Sequence, residues 1–241
     1  GIGATTAELF CAQQAKVLLV DRDASGLERQ VQAIRERVGG AVLEAHVADV
    51  TNATQAGAAV ARALTLYGAL NVLINNAAVR YLSAVAEADT AQWEKVFAVN
   101  LLGAVTLCKV ALPALRKSHG ASIVNLSSTY ALVGRKNFGA YDASKAALLS
   151  FTRTLAFEEA GHGIRVNAVC PGGTLTPYTI GRAAERGVSV ADLRGEAKPD
   201  ALLKRWGEAV EVAYPILWLA SSEASFVTGT SLAVDGGTSI M

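Results

Sequence analysis

The stretch Val17-Leu18-Leu19-Val20-Asp21, followed by Ala24 to Val38 and then Val42 to Val47, decides the fold. Four consecutive apolar residues ending on a carboxylate suit a strand covered on both faces. A helix follows over Ala24 to Val38, and a second short strand over Val42 to Val47. Strand, helix, strand is the unit from which parallel sheets are built.

The same alternation continues outward. Asn52 to Tyr67 reads as a helix, and Asn71-Val72-Leu73-Ile74 as a strand. A long helix is expected from Thr90 to Leu115, a strand at Ser122 to Leu126, and a helix from Tyr141 to Glu159. Ile164 to Val169 is a strand, Ala209 to Ala220 a helix, and Ser231-Leu232-Ala233-Val234 the last strand. These elements predict one α/β domain over residues 1–241, a doubly wound parallel sheet in three layers. The least regular segment, Pro177 to Trp206, is rich in Arg, Gly and Glu and reads as an inserted loop with short helices.

The beginning does not follow this pattern. Gly1-Ile2-Gly3 runs directly into a helix, Ala4 to Gln14, although a glycine turn opening a helix normally follows a strand. Such a strand would sit centrally in a doubly wound sheet, so a further strand ahead of Gly1 is expected.

Composition narrows the function. Apolar residues make up 51% and charged residues 18%, with a formal net charge of +1. That balance gives no basis for electrostatic capture of nucleic acid or of an anionic membrane. Phe97 to Leu115 is strongly apolar, but it contains Asn100, Lys109 and Pro113, which favours a buried helix over a membrane span. Cys11, Cys108 and Cys170 are too sparse for a disulfide framework or a zinc site and suit a reducing, cytoplasmic compartment. His46, His119 and His162 have no metal-ligand spacing, so no metal is expected.

In open parallel sheets, ligands sit at the carboxyl ends of strands. The residues there are Asp21, Asp49, Asn75, Asn76, Ser127, Ser128, Pro171 and Gly172. Gly1-Ile2-Gly3 is either a plain turn or the end of a phosphate-binding turn, where bare backbone admits a pyrophosphate to a helix N-terminus. Asp21 can accept both hydroxyls of an adenine ribose, favouring NAD over NADP; Arg22 works against that preference. Asp49, ahead of Val50, either bonds an adenine amino group or caps the helix starting near Asn52. Asn75-Asn76-Ala77-Ala78 is a turn or a place where backbone approaches a ribose.

Ser128, Tyr141 and Lys145 form the constellation that carries chemistry. Tyr141 and Lys145 are four apart and share a helical face. Taking a hydride from an alcohol carbon also requires taking the hydroxyl proton. A phenol titrates near 10, too high for an efficient base at neutral pH, and a neighbouring ammonium lowers it by stabilising the phenolate. Ser128 can hold the substrate oxygen in line.

With these residues in order, the chain resembles the short-chain dehydrogenase/reductase family. The matching pieces are Gly1-Ile2-Gly3, Asp49-Val50, Asn75-Asn76-Ala77, Asn100, Ser128, Tyr141-Asp142-Ala143-Ser144-Lys145, Pro171-Gly172 and Val234-Asp235-Gly236-Gly237, spread over the whole chain. The resemblance implies a Rossmann-type sheet with Tyr141 as acid/base and Ser128 orienting the substrate oxygen. It implies that Lys145 lowers the tyrosine pKa and holds the nicotinamide ribose. It also implies that Asn100 holds a water in a proton relay; by itself, a buried Asn in an apolar helix reads equally as a kink. Pro171-Gly172-Gly173-Thr174-Leu175-Thr176 corresponds to the nicotinamide contact, with Thr174 and Thr176 towards the carboxamide. Residues 177–206 correspond to a substrate lid, and the family suggests a homotetramer. Ala78 departs from the family's usual glycine, a small change.

The expected activity is hydride transfer between NAD(H) and a small secondary alcohol or ketone. Rival readings are an NADPH-dependent ketoreductase, for example of a β-ketoacyl thioester, and a dinucleotide-binding regulator without chemistry. Tyr178, Arg182, Arg186, Arg194 and Trp206 of the lid either meet polar or anionic substrate groups or are solvated surface.

Overall fold

The structure, a computed structural model, describes residues 1–195 and 198–241. Its elements run α1 (Ile2–Ala12), β1 (Val17–Asp21), α2 (Ala24–Arg37), β2 (Leu43–Val47), α3 (Ala53–Tyr67), β3 (Val72–Asn75), α4 (Thr90–Phe97) and α5 (Gly103–Leu115). There follow β4 (Ser122–Leu126), α6 (Gly139–Glu159), β5 (Arg165–Pro171), β6 (Thr174–Leu175), α7 (Pro177–Ala184), α8 (Val190–Gly195), β7 (Gly207–Glu208), α9 (Ala209–Ala220) and β8 (Ser231–Val234).

Every strand pair is parallel. The order β3-β4-β5-β8 makes the larger sheet, and β1-β2 and β6-β7 are separate pairs. Beside β1 and β3 lies a groove of about 980 Å³, walled by Val17–Asp21 and Asn71–Asn75.

β4 shows how the layers form. Successive strand side chains point to opposite faces. Ile123 meets Cys108, Ala111 and Leu115 of α5 and Leu155 of α6 on one face. Val124 and Leu126 meet Val212, Ile216 and Leu219 of α9, with Ile2 and Phe10 of α1 beside them, on the other. Helices therefore cover both faces, and β4 is buried along its whole length. Each large aliphatic side chain so buried contributes about 1.5–3 kcal/mol.

Helix boundaries follow local chemistry. Asp23 caps α2 by accepting from Gly26 N, and Gly68 ends α3 in the left-handed conformation. The helix expected from Thr90 to Leu115 is not continuous: a π-helical turn at Ala98–Leu102 separates α4 from α5. Asn100 lies in that turn and is buried. The helix bearing Tyr141 starts two residues earlier than expected, at Gly139. Residues 177–206 contain α7 and α8, in keeping with the reading of this segment as a loop with short helices; residues 196–197 lie outside the described residues.

Candidate active site

Three elements converge on one point. The end of β4 delivers Ser127 and Ser128, the first turns of α6 deliver Tyr141, Ser144 and Lys145, and the π-helical turn delivers Asn100. All six are buried. Lys145 Nζ lies 5.8 Å from the Tyr141 ring centroid and donates to the Leu126 carbonyl at 2.6 Å. Ser127 Oγ donates to the Lys145 carbonyl at 2.8 Å, pinning strand end to helix. Ser128 accepts from Tyr130 N at 3.2 Å, which leaves its own hydroxyl hydrogen for a substrate oxygen.

Asn100 is clamped by three hydrogen bonds to protein partners. Its Oδ1 accepts from Val79 N at 2.8 Å, and its Nδ2 donates to Val79 O at 3.0 Å and to Ser144 Oγ at 3.0 Å. Ser144 Oγ in turn donates to the Tyr141 carbonyl at 2.7 Å. Both the helical irregularity and the polar network therefore centre on Asn100, and π-turns of this kind recur at functional sites.

Burial, assisted by the positive charge of Arg80, pushes the Lys145 ammonium down from its usual value to about 7. The Arg80 guanidinium carbon lies 5.2 Å from the Tyr141 ring centroid. Burial pushes the thiols of Cys108 and Cys170 up, to about 12 and about 11, so they are thiols at neutral pH.

Sequence reading missed part of the support. Asn75 Nδ2 donates to Asn125 Oδ1 at 2.8 Å, and Asn125 Nδ2 donates to Thr152 Oγ1 at 2.9 Å, tying β3 to β4 and β4 to α6. An asparagine inside the apolar run Ser122–Leu126 was the available signal. Asp235, quoted in the Val-Asp-Gly-Gly match but given no role, accepts from Thr129 Oγ1 at 2.6 Å, Ser239 N at 2.8 Å and Gly237 N at 2.9 Å. Burial would raise its pKa, but these hydrogen bonds outweigh it and hold the carboxyl below its usual value. Gly172 lies against it: a Cβ there would come within 2.6 Å of Asp235 Cα.

The groove beside β1 and β3 brings together much of the expected nucleotide site, including Gly1, Gly3, Asp21, Val50, Asn76 and Ala77. Gly1 caps α1 with Ile2 next to it, and no acidic residue occupies the first turn, so the helix N-terminus keeps its positive end for a phosphate. Gly3 lies close to Asn76: a Cβ there would come within 2.6 Å of Asn76 Nδ2, so any side chain at this position would displace the Asn76 amide. Asp21 is exposed at the end of β1, with Oδ1 accepting from Asp23 N at 3.1 Å; Arg22 beside it is also exposed.

Asp49 does not cap α3. Asn52 does so, accepting from Gln55 N at 3.1 Å, while Asp49 Oδ1 accepts from Thr51 N at 2.9 Å and Thr51 Oγ1 at 2.7 Å. The shorter reach from Asn52 to the first free amides decides this. Pro171 ends β5, Thr174 Oγ1 donates to Gly172 O at 3.0 Å, and Thr176 caps α7 through Thr179 N at 3.3 Å. The glycine turn, the strand-end carboxylate and the buried lysine thus fit a nicotinamide dinucleotide. Among the described residues, no group of three or more His, Cys, Asp or Glu side chains is placed to hold a metal ion.

Fold and site together define a dinucleotide-dependent oxidoreductase acting on CH–OH groups. A family model described as Enoyl-(Acyl carrier protein) reductase matches residues 1–239. The chain is 36% identical over 237 residues to 2-(S)-hydroxypropyl-CoM dehydrogenase 3 of Xanthobacter autotrophicus, covering 98% of this chain and 92% of that one. It is 38% identical over 239 residues to galactitol 2-dehydrogenase (L-tagatose-forming) of Cereibacter sphaeroides, covering 98% and 90%. A NADPH-bound short chain oxidoreductase of Pseudomonas aeruginosa PAO1, described as containing an atypical catalytic center, superposes with a TM-score of 0.94 at 30% identity, covering 100% and 93%. The chain belongs to the short-chain dehydrogenase/reductase family.

Proposed function

We propose that this chain interconverts a small secondary alcohol and its ketone, with NAD(H) preferred over NADP(H). The observation that carries the reading is the pairing of buried Tyr141 and Lys145 on α6 beside Ser128. Binding alone needs no such pairing, which disfavours a regulator without chemistry. When bound, the nicotinamide accepts or supplies the hydride.

The chain's own residues handle the oxygen and its proton. Ser128 donates a hydrogen bond to the substrate oxygen. The Tyr141 hydroxyl gives its proton to a ketone oxygen or, as phenolate, takes one from an alcohol. Protonated Lys145 stabilises the phenolate and holds the nicotinamide ribose. Asn100 fixes α6 through Ser144 and anchors the relay that returns the proton to solvent. Gly1, Ile2 and Gly3 seat the pyrophosphate, Asp21 the adenine ribose, Asp49 and Val50 the adenine, and Asn76 and Ala77 pass close to a ribose. Pro171, Gly172, Thr174 and Thr176 line the nicotinamide, and the lid at 177–206 covers the substrate and excludes water. A homotetramer is the assembly we propose, with exposed Phe157 and Phe226 available for subunit contact.

Arg22, exposed beside Asp21, favours a second reading: an NADPH-dependent ketoreductase. Steady-state assays with NAD and NADP over secondary alcohols, polyols and hydroxy acids separate the two. NAD-dependent turnover supports the first reading, turnover with NADP alone supports the second, and cofactor binding without any turnover sinks both.

A further inference from the structure

Arg80 is held beside Tyr141. Both backbone polar groups of the preceding residue, Val79, are bonded to the buried Asn100 side chain, so the chain reaches Arg80 from a fixed point. The guanidinium lies over two rings, 5.2 Å from the Tyr141 centroid and 4.6 Å from that of Tyr178 on α7. It therefore bridges the catalytic helix and the lid.

A second guanidinium near Tyr141 provides the contrast. Arg135 lies 5.6 Å from the same ring, but it is neutralised by Asp142, with nitrogen–oxygen contacts of 2.8 to 3.3 Å, and packed over Tyr130 and Phe138. Arg80 is exposed and, among the described residues, forms no ion pair. The neighbouring cation is buried Lys145, so the two add positive potential at the substrate end of the site. A guanidinium held beside aromatic rings, without an ion-pair partner among the described residues, has N–H groups to offer a planar or tetrahedral anion.

We propose that the substrate carries an anionic group, a carboxylate, sulfonate or phosphate ester, and that Arg80 is the residue that selects it. The proposal rests on the secondary-alcohol reading above and adds the substrate's second functional group. With the carbinol oxygen at Ser128 and Tyr141, the anion lies towards Tyr178, where lid closure completes its enclosure.

The test compares wild type with Arg80→Gln and Arg80→Lys on matched pairs of hydroxy compounds. Each pair has an anionic and a neutral member of equal length: carboxylate and amide, sulfonate and sulfone, phosphate monoester and neutral ether. Wild type is expected to favour the anionic member in one of these arms by about 10- to 100-fold in kcat/KM, the size of a charge-assisted hydrogen bond; the favoured arm names the anion. Arg80→Gln is expected to abolish that preference and Arg80→Lys to restore part of it. A wild type without the preference overturns the proposal. So does an equal loss on both members, which would mean that Arg80 acts through Tyr141.

A second readout does not depend on turnover. Dissociation constants of non-reacting short-chain carboxylate, sulfonate and phosphate ester are measured on the enzyme–NAD complex, together with that of NAD itself. Arg80-dependent anion binding without turnover of any alcohol supports the anion site and sinks the dehydrogenase reading. Turnover without Arg80-dependent discrimination overturns the anion site alone, as does a loss confined to NAD affinity.

Discussion

Thr129 Oγ1 donates to Asp235 Oδ2 at 2.6 Å, across 106 residues of chain. Thr129 follows Ser128 directly and is buried. Asp235 also accepts from the Gly237 and Ser239 amides, so it locks the C-terminal segment to the turn that carries Ser128.

Asp235→Ala therefore removes three side-chain hydrogen bonds at once. We expect stability to fall by about 3 kcal/mol and kcat to fall about tenfold or more through misplacement of Ser128. Asp235→Asn, which keeps one acceptor of similar shape, should lose less of both. Thermal melts and steady-state kinetics check this; an Asp235→Ala enzyme with wild-type kcat would remove Asp235 from the support of Ser128.

Tyr141→Phe deletes the proton carrier and little else. We expect kcat/KM to drop by about 10³-fold, within the usual range for positioned acid–base groups. Ser128→Ala should cost about 10- to 100-fold, because one hydrogen bond to the reacting oxygen is lost. Cofactor affinity, measured by fluorescence titration, should change much less than turnover in the serine variant. A folded Tyr141→Phe protein that kept most of its activity would refute the mechanism.

The layered fold was legible because its signals are local. The run Val17–Val20 is too apolar for a surface strand, and the helices between the strands leave little topological choice. Tyr141 and Lys145 were legible because four-residue spacing fixes a shared helical face. Other features had no local signature. The Asn100 π-turn arises from hydrogen bonds to Val79 and Ser144, which are distant in sequence. The Asn125–Thr152 bond and the Thr129–Asp235 bond likewise join residues that only the completed sheet brings together. Arg80 carries no local signature either, since only the completed fold sets its guanidinium near both Tyr141 and Tyr178.

Buried Lys145 makes a pH-dependent prediction. Its ammonium titrates near 10.5 when unfolded and at about 7 in the folded chain. The folded state therefore binds this proton more weakly, and the group opposes folding. The cost is full below about pH 7, shrinks as pH rises from about 7, and disappears above the unfolded value. At one pKa unit per 1.36 kcal/mol it is on the order of 5 kcal/mol, partly offset by the bond to the Leu126 carbonyl. Lys145→Met should abolish most activity yet raise Tm at pH 6 by roughly 5 °C, with the gain fading towards pH 10. A variant that melts below wild type at pH 6 would show that the ammonium is stabilised in the folded chain.

We propose that cofactor choice turns on Asp21 and Arg22. The Asp21 carboxylate is exposed at the end of β1, and Asp23 N bonds one of its oxygens, which keeps it oriented. An adenine ribose with both hydroxyls free can donate to that carboxylate, whereas a 2′-phosphate meets a like charge. Losing such a charge-assisted hydrogen bond costs about 1.5–3 kcal/mol, or roughly 10- to 100-fold. Asp21→Ser should lower kcat/KM with NAD by that factor and raise it with NADP, since Arg22 then faces the phosphate without a competing carboxylate. Arg22→Ala in the same background should remove the gain with NADP and leave the loss with NAD. The measurement is kcat/KM for both cofactors in all three proteins with one alcohol substrate. An unchanged NAD-to-NADP ratio in Asp21→Ser would move the discriminating contact away from the end of β1.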